Sequence, residues 1–249
     1  MKNTVAILLA AGSGSRMKSN EKKQYMLLGN KPVLYYALQA LENSYVSRIF
    51  LVVNEGEEDR VQKEYVEKYG FSKVAAITAG GNERYHSVIK GLEAAEHRRT
   101  AKGETYDRVL IQDSARPFLT PEILQRVSDT LDTYPACVVG MPVKDTIKIA
   151  DEKGFVDHTP NRNLVWAVQT PQAFSYDLAL SAYRILRERE QELLDQGMVI
   201  TDDAMVVETL TDTRIKLVEG SYDNIKITTP EDLITAEKIL DSLSGGLIR

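Results

Sequence analysis

Short runs of almost wholly apolar residues recur along the first half of the chain, each followed by a stretch with helical periodicity. VAILLA (5–10), RIFLVVN (48–54), KVAAITA (73–79), RVLIQD (108–113) and ACVVGMPV (136–143) are strand-sized and bounded by turn or polar residues. Between them, PVLYYALQALEN, EEDRVQKEYVEKYG, RYHSVIKGLEAAEHR and TPEILQRVSDTLDTY read as helices, the last with Thr120 as its cap and Pro121 in its first turn. A strand without polar alternation is one buried on both faces, so this order predicts a mostly parallel sheet covered by helices on either side. Right-handed crossovers make it a doubly wound α/β fold, with ligands expected at the carboxyl ends of the strands.

The pattern changes after Val143. KDTIKIADEKGFVDHTPNRNLVWAVQT reads as two extended flanks, TIKIA and LVWAVQ, about an Asp-Glu-Lys-Gly turn, a hairpin-like arm at about 144–170. A lone ribbon is only marginally stable in water, so Ile147, Ile149, Val165, Trp166 and Val168 need a surface to pack on. That surface is either the chain's own domain or a second subunit. Regular patterning resumes with a helix at DLALSAYRILREREQELLDQG, the segment DDAMVVETL, a strand at RIKLVEG and a terminal helix from Pro230. With no internal repeat and no low-complexity linker, one domain over 1–249 carrying an inserted arm is expected.

Charge and composition narrow the partners. A formal net charge of −5 gives a surface that does not favour nucleic acid as a whole. The lone cysteine, Cys137, excludes an intrachain disulfide and reads as a small buried residue, and the 3 histidines are too widely spaced for a metal cluster. No apolar run approaches the ~20 residues that span a bilayer. The first residues lead into a strand rather than a signal peptide, so a cytoplasmic protein is expected.

Four clusters lie where strands should end. LLAAGSGSRM closes the first strand, but both the P-loop and the dinucleotide fingerprint require glycine where Met17 stands. What remains is a Gly-Ser-Gly turn with Arg16 beyond it, followed by Lys22, Lys23 and Gln24. This is either a triphosphate cradle or a plain turn beside a solvated charge run. GGNERYHS (80–87) opens a helix, as a capped turn or with Arg84 and Ser87 reading a base or ribose. DSARPF (113–118) sets Asp113 at a strand end, as a natural Mg²⁺ ligand or as a turn cap partnered by Arg116. EGSYDNIKITTPEDL places Asp223 and Lys226 about another. Carboxylates and cations without a Cys, Ser–His or paired-acid nucleophile fit phosphoryl or nucleotidyl transfer, where positioning and charge neutralisation carry the catalysis.

LAAGSGSRM with KKQY, GGNERYHSV, DSARPF, PVKDTIK, WAVQTPQAF, TDDA and EGSYDNIKITTPEDL, in that order, resemble the 2-C-methyl-D-erythritol 4-phosphate cytidylyltransferase family over nearly the whole chain. The opening loop is common to many nucleotidyltransferases; the later motifs narrow the match to enzymes that activate this or a related pentitol phosphate. The resemblance implies a Rossmann-like nucleotidyltransferase fold. It also implies transfer of CMP from CTP to 2-C-methyl-D-erythritol 4-phosphate in non-mevalonate isoprenoid biosynthesis. By the same resemblance Ala10, Ala11, Gly12 and Gly14 hold CTP, with Arg16 and Lys23 on its phosphates and Gly81, Asn82 and Ser87 on cytosine and ribose. Asp113 and Asp223 hold Mg²⁺, Lys226 neutralises the transition state, and Arg116, Thr146, Arg162, Thr170 and Thr201 bind the sugar phosphate. The arm corresponds to a dimerisation arm reaching into a partner's site, so a homodimer is expected. Lys22 stands where the family commonly has proline, Asn82 where some members have aspartate, and Ser114 where Ala or Gly is common. Lys22 implies a less rigid or more basic loop. A ribitol-5-phosphate or other pentitol-phosphate cytidylyltransferase, and a non-catalytic nucleotide binder, are the competing readings.

Overall fold

The computed structural model describes residues 2–12, 17 and 21–245. In chain order the elements are β1 (Thr4–Leu9), a small ribbon of β2 (Leu27–Leu28) and β3 (Lys31–Pro32), α1 (Val33–Glu42), β4 (Arg48–Val53) and α2 (Glu58–Val61), which continues as a π-helical segment over Gln62–Glu67. There follow β5 (Val74–Ala79), α3 (Arg84–Lys102), β6 (Arg108–Asp113), α4 (Pro121–Leu131) and β7 (Ala136–Pro142). After a second small ribbon of β8 (Ile149–Ala150) and β9 (Val156–His158) come β10 (Trp166–Ser175), α5 (Tyr176–Asp195), α6 (Asp203–Leu210), β11 (Lys216–Glu219) and α7 (Pro230–Gly245).

The main sheet has 7 strands in the order β11-β7-β10-β6-β1-β4-β5. All run parallel except β10, which is antiparallel to both its neighbours. Every residue of β1 is buried, and the period-2 pleat divides its side chains between two cores. Ala6 and Leu8 face a core built with α1, α4 and the α2 segment, whereas Val5, Ile7 and Leu9 face one built with α3, α5 and α6. This is the two-sided cover that the unbroken apolar runs predict. Thr120 caps α4 as expected, its hydroxyl accepting the Ile123 amide. Cys137 is buried, and burial pushes its thiol up to about 12. Among the described residues no helix is long and apolar enough to cross a membrane.

The arm differs from its expected pairing. The Asp-Glu-Lys-Gly turn is present, with the Asp151 carboxylate accepting the Lys153 and Phe155 amides and Gly154 at φ 85°. Yet the flank paired across it is Val156–His158, not LVWAVQ. Trp166, Ala167 and Val168 instead pair with Pro142, Met141 and Gly140, and the strand runs on through Ser175 into the middle of the sheet. Gly140 permits this: a Cβ there would stand 3.0 Å from the Ala167 carbonyl oxygen. Pro171, which cannot donate to a ladder, hides the strand in the sequence; it sits where the register shifts between Val168 and Gln172. Ile149, Phe155, Val156 and Leu164 are left exposed on the arm.

Candidate active site

The carboxyl ends of β1, β4, β5 and β6 open onto one cavity of about 610 Å³, within the range of small-molecule sites. Its lining includes Ala10, Ala11, Gly12, Lys23, Asn54, Gly81, Asn82, Glu83, Arg84, Ser87, Asp113 and Lys226. Each of these arrives by a local rule. Ala10 continues β1, its amide bonded to Val52 O at 2.7 Å. The buried Gln24 then ties the loop down, its Nε2 donating to Ala10 O at 2.7 Å and Gly12 O at 3.4 Å. Gly80 lets the loop after β5 close in, since a Cβ there would lie 2.5 Å from Ala11 Cβ and 2.7 Å from Ser87 Oγ. The Ser87 hydroxyl accepts the Gly81 amide at 3.2 Å.

Charge at the cavity floor is organised as a chain of alternating sign. Lys226 Nζ is 2.6 Å from Asp113 Oδ2, while Arg84 Nε and Nη2 each lie 3.2 Å from Asp113 Oδ1. Arg84 is gripped from behind by Asp203, Nη1 to Oδ1 and Nη2 to Oδ2 both at 2.7 Å, and Asp203 also accepts the Tyr183 hydroxyl. Burial alone would raise the Asp113 carboxyl, but Arg84 and Lys226 overcome it and hold it well below the usual carboxylate range. Asp113 is therefore ionised at neutral pH. Its amide donates to Thr170 Oγ1 at 3.1 Å, a contact made at the irregular turn of β10.

The family profile for 2-C-methyl-D-erythritol 4-phosphate cytidylyltransferase matches residues 4–242. The chain belongs to that family. It is 48% identical over 240 residues to the 2-C-methyl-D-erythritol 4-phosphate cytidylyltransferase of Lachnoclostridium phytofermentans, covering 96% of this chain and 97% of that relative. Identity to the Alkaliphilus oremlandii protein of the same name is 42% over 244 residues, 98% of this chain and 97% of the other. Among solved structures, the 4-diphosphocytidyl-2C-methyl-D-erythritol synthase of Anaerococcus prevotii superposes with a TM-score of 0.78 at 33% identity, covering 96% of each chain.

Against the family's pattern, the cavity gathers Ala10, Ala11, Gly12, Lys23, Gly81, Asn82, Ser87, Asp113 and Lys226. Gly14 and Arg16 lie outside the described residues. Asp223 does not line the cavity; it is exposed in the turn before the buried Asn224, its amide donating to Ser221 Oγ at 3.1 Å. Arg116 stands just behind, Nη1 donating to Asn224 O at 2.7 Å and Nη2 to Val168 O at 3.2 Å, with the buried Nε left without a hydrogen-bond partner. Thr146, Arg162 and Thr201 are exposed and none lines the cavity; Arg162 Nη1 donates to Lys144 O at 3.1 Å and the Thr201 hydroxyl to Met205 Sδ at 3.6 Å. Lys22, at the family's proline position, is consumed by an ion pair with Glu57 at 3.0 Å. Tyr25 and Asn54 donate to the same carboxylate. The loop there is thus braced rather than simply more basic.

Both Asp113 oxygens are engaged, by Lys226 and by Arg84, so the carboxylate would suit a magnesium ion held largely by its substrate once one of these contacts gives way. Among the described residues there is no group of 3 or more His, Cys, Asp or Glu able to hold a metal by themselves. Mg²⁺ commonly takes one or two carboxylates and completes its shell with phosphate oxygens and water. Ionised Asp113 on a cavity wall shared with Lys23 and Lys226 suits that division. Asp203 is the residue the sequence does not single out. The only hint is the second acid of TDDA at a helix start, where Asp202 caps α6 by accepting the Met205 amide at 2.9 Å.

Proposed function

We propose that this chain transfers the cytidylyl group of CTP to 2-C-methyl-D-erythritol 4-phosphate. The products are 4-diphosphocytidyl-2-C-methyl-D-erythritol and pyrophosphate, in the non-mevalonate route to isoprenoid precursors. The observation that carries this reading is the convergence of the Ala10–Gly12 loop, the 80–87 loop, Asp113 and Lys226 on one cavity at the strand ends. Backbone groups of Ala10 to Gly12 and the Lys23 ammonium receive the triphosphate, with Arg16 and Gly14 assigned to the same task by the family pattern. Gly81, Asn82 and Ser87 take the cytosine and ribose. A phosphate oxygen of the acceptor attacks the α-phosphorus in line as the bond to the bridging oxygen of pyrophosphate breaks. The attacking oxygen carries no proton, so the protein's work is alignment and neutralisation of charge. Mg²⁺, when bound by Asp113, supplies further neutralisation of the phosphates, and Asp223 is the second ligand in this reading. Arg116, Thr146, Arg162, Thr170 and Thr201 are assigned to the acceptor.

The decisive assay follows pyrophosphate release from CTP with Mg²⁺ and either 2-C-methyl-D-erythritol 4-phosphate or ribitol 5-phosphate. Turnover with the first alone, abolished by EDTA, is expected. Turnover with ribitol 5-phosphate alone moves the chain to a pentitol-phosphate relative, and none with either overturns a catalytic role.

Thr146 and Arg162 lie on an arm that leaves Ile149, Phe155, Val156 and Leu164 exposed, so we assign the working state to a homodimer in which this arm completes the partner's acceptor site. Mixing an Arg162→Ala chain with a Lys23→Ala chain is expected to restore activity, because one site of each mixed dimer regains both residues. Subunit exchange without recovery contradicts a shared site.

A further inference from the structure

The wall of the cavity formed by residues 81–83 rests on a side chain that does not itself line it. Gly81 lies so close to His86 that a Cβ on the glycine would stand 2.4 Å from the histidine Cβ. His86 Nδ1 faces the Glu83 amide at 3.3 Å, and the Glu83 side chain reciprocally accepts the His86 amide, a capping box closing the start of α3. The other ring nitrogen, Nε2, is 2.8 Å from Glu190 Oε1, and that oxygen also accepts the Tyr85 hydroxyl at 2.7 Å. Glu190 belongs to α5, over 100 residues further along the chain.

The two contacts of the ring fix its protonation pattern. A backbone amide can only donate, so Nδ1 must carry a lone pair. An ionised carboxylate can only accept, so Nε2 must carry the proton. The Tyr85 hydroxyl and His86 hold the Glu190 carboxyl below its ordinary range, which keeps it an acceptor. The opposite neutral tautomer would set a proton against the Glu83 amide and two lone-pair sites against each other at Glu190. Glu190 therefore selects, from outside the cavity, the ring state that the 81–83 turn requires.

We propose that Glu190 is a positioning residue for nucleotide binding: it holds His86 as the Nε2–H tautomer, and the ring in turn fixes the Gly81–Glu83 turn against which the nucleoside sits. This rests on the CTP reading above. Glu190 is partly exposed and is not itself a core residue, so its replacement opens no cavity in the cores, although the Tyr85 hydroxyl loses this acceptor.

The test combines ¹⁵N–¹H spectra of the His86 ring at pH 8 with steady-state kinetics and melting curves for wild type, Glu190→Ala and Glu190→Gln. Wild type is expected to show the Nε2–H tautomer. Glu190→Ala is expected to show a tautomer mixture and a KM for CTP raised about 3- to 10-fold, the scale of one lost hydrogen bond, with kcat and Tm little changed. Glu190→Gln, whose side-chain carbonyl still accepts from Nε2–H, restores both tautomer and KM. An Nδ1–H ring in wild type overturns the proposal. So does a Glu190→Ala chain with unchanged tautomer and KM, or one that loses kcat and Tm while keeping KM. A wild-type chain that does not turn over CTP overturns the functional reading instead, and the kinetics of the variants then have no bearing on which residue sets the tautomer.

Discussion

Lys226→Ala is expected to lower kcat by about 10²- to 10³-fold, the usual loss when one charge-stabilising group is removed from a transition state, while the KM for CTP changes far less. The ammonium stands 2.6 Å from Asp113 at the cavity floor and is still about one-third exposed. In the proposed reaction it meets charge that develops at the α-phosphorus rather than anchoring the ground-state nucleotide. Removing it does not undo the ionisation of Asp113, because Arg84 remains on the other carboxylate oxygen. The loss should therefore fall on turnover and not on the integrity of the site. Steady-state kinetics at saturating acceptor separate the two: an unchanged kcat with a raised KM would make Lys226 a binding group and move the transition-state role elsewhere. Lys226→Arg, which keeps the charge but not the compact point donor, should recover only part of the rate.

The parts of the fold that are legible in the sequence are those where burial leaves no alternative. VAILLA can only be a strand covered on both faces, and β1 is such a strand. TPEIL announces a capped helix, and α4 starts there. The motif loops are legible too, because a strand end must turn and glycine marks where backbone approaches closely: Gly80 and Gly81 have no room for side chains. Two things are hidden. The central strand β10 carries Thr170 and Pro171 in its middle, and a local reading sees a break where the sheet has a register shift that aims the Thr170 hydroxyl at the Asp113 amide. The second is the pairing of Arg84 with Asp203 across 119 residues, which no spacing rule encodes. In the sequence Arg84 reads as part of a capped turn or as a group that meets a base or ribose, whereas its guanidinium is engaged by Asp113 and Asp203. It is Asp203, delivered to the same place by α6, that turns it into a fixed counter-charge for Asp113. Lys22 teaches the same lesson in reverse: it reads as extra positive charge near a phosphate loop, yet Glu57 takes it up.

Asp203→Ala is expected to cost about 3 kcal/mol of stability, the lower end for breaking a buried ion pair by removing one partner, and to lower Tm by about 6–12 °C for a chain of this size. The Asp203 side chain is 0% exposed and receives both terminal nitrogens of Arg84 at 2.7 Å together with the Tyr183 hydroxyl. Its loss leaves the buried Tyr183 hydroxyl without this acceptor and takes from Arg84 its two shortest contacts, so their desolvation is only partly compensated. The cost stays at the low end because Arg84 keeps its contact with Asp113 and reaches solvent with about a third of its side chain. That same relaxation carries the functional consequence. Without Asp203 behind it, Arg84 is free to move further onto Asp113, tightening a pair that has to yield if the carboxylate is to hold a magnesium ion. Asp203→Ala should then need more Mg²⁺ for half-maximal activity than wild type, measured at a temperature well below its own melting transition. Asp203→Asn keeps one acceptor oxygen and the shape of the site, so it is expected to recover part of the Tm while retaining the higher magnesium requirement, because the charge that holds Arg84 back is gone. A lowered Tm with a wild-type magnesium midpoint in both variants would leave Asp203 a stabilising residue and detach it from the chemistry at Asp113.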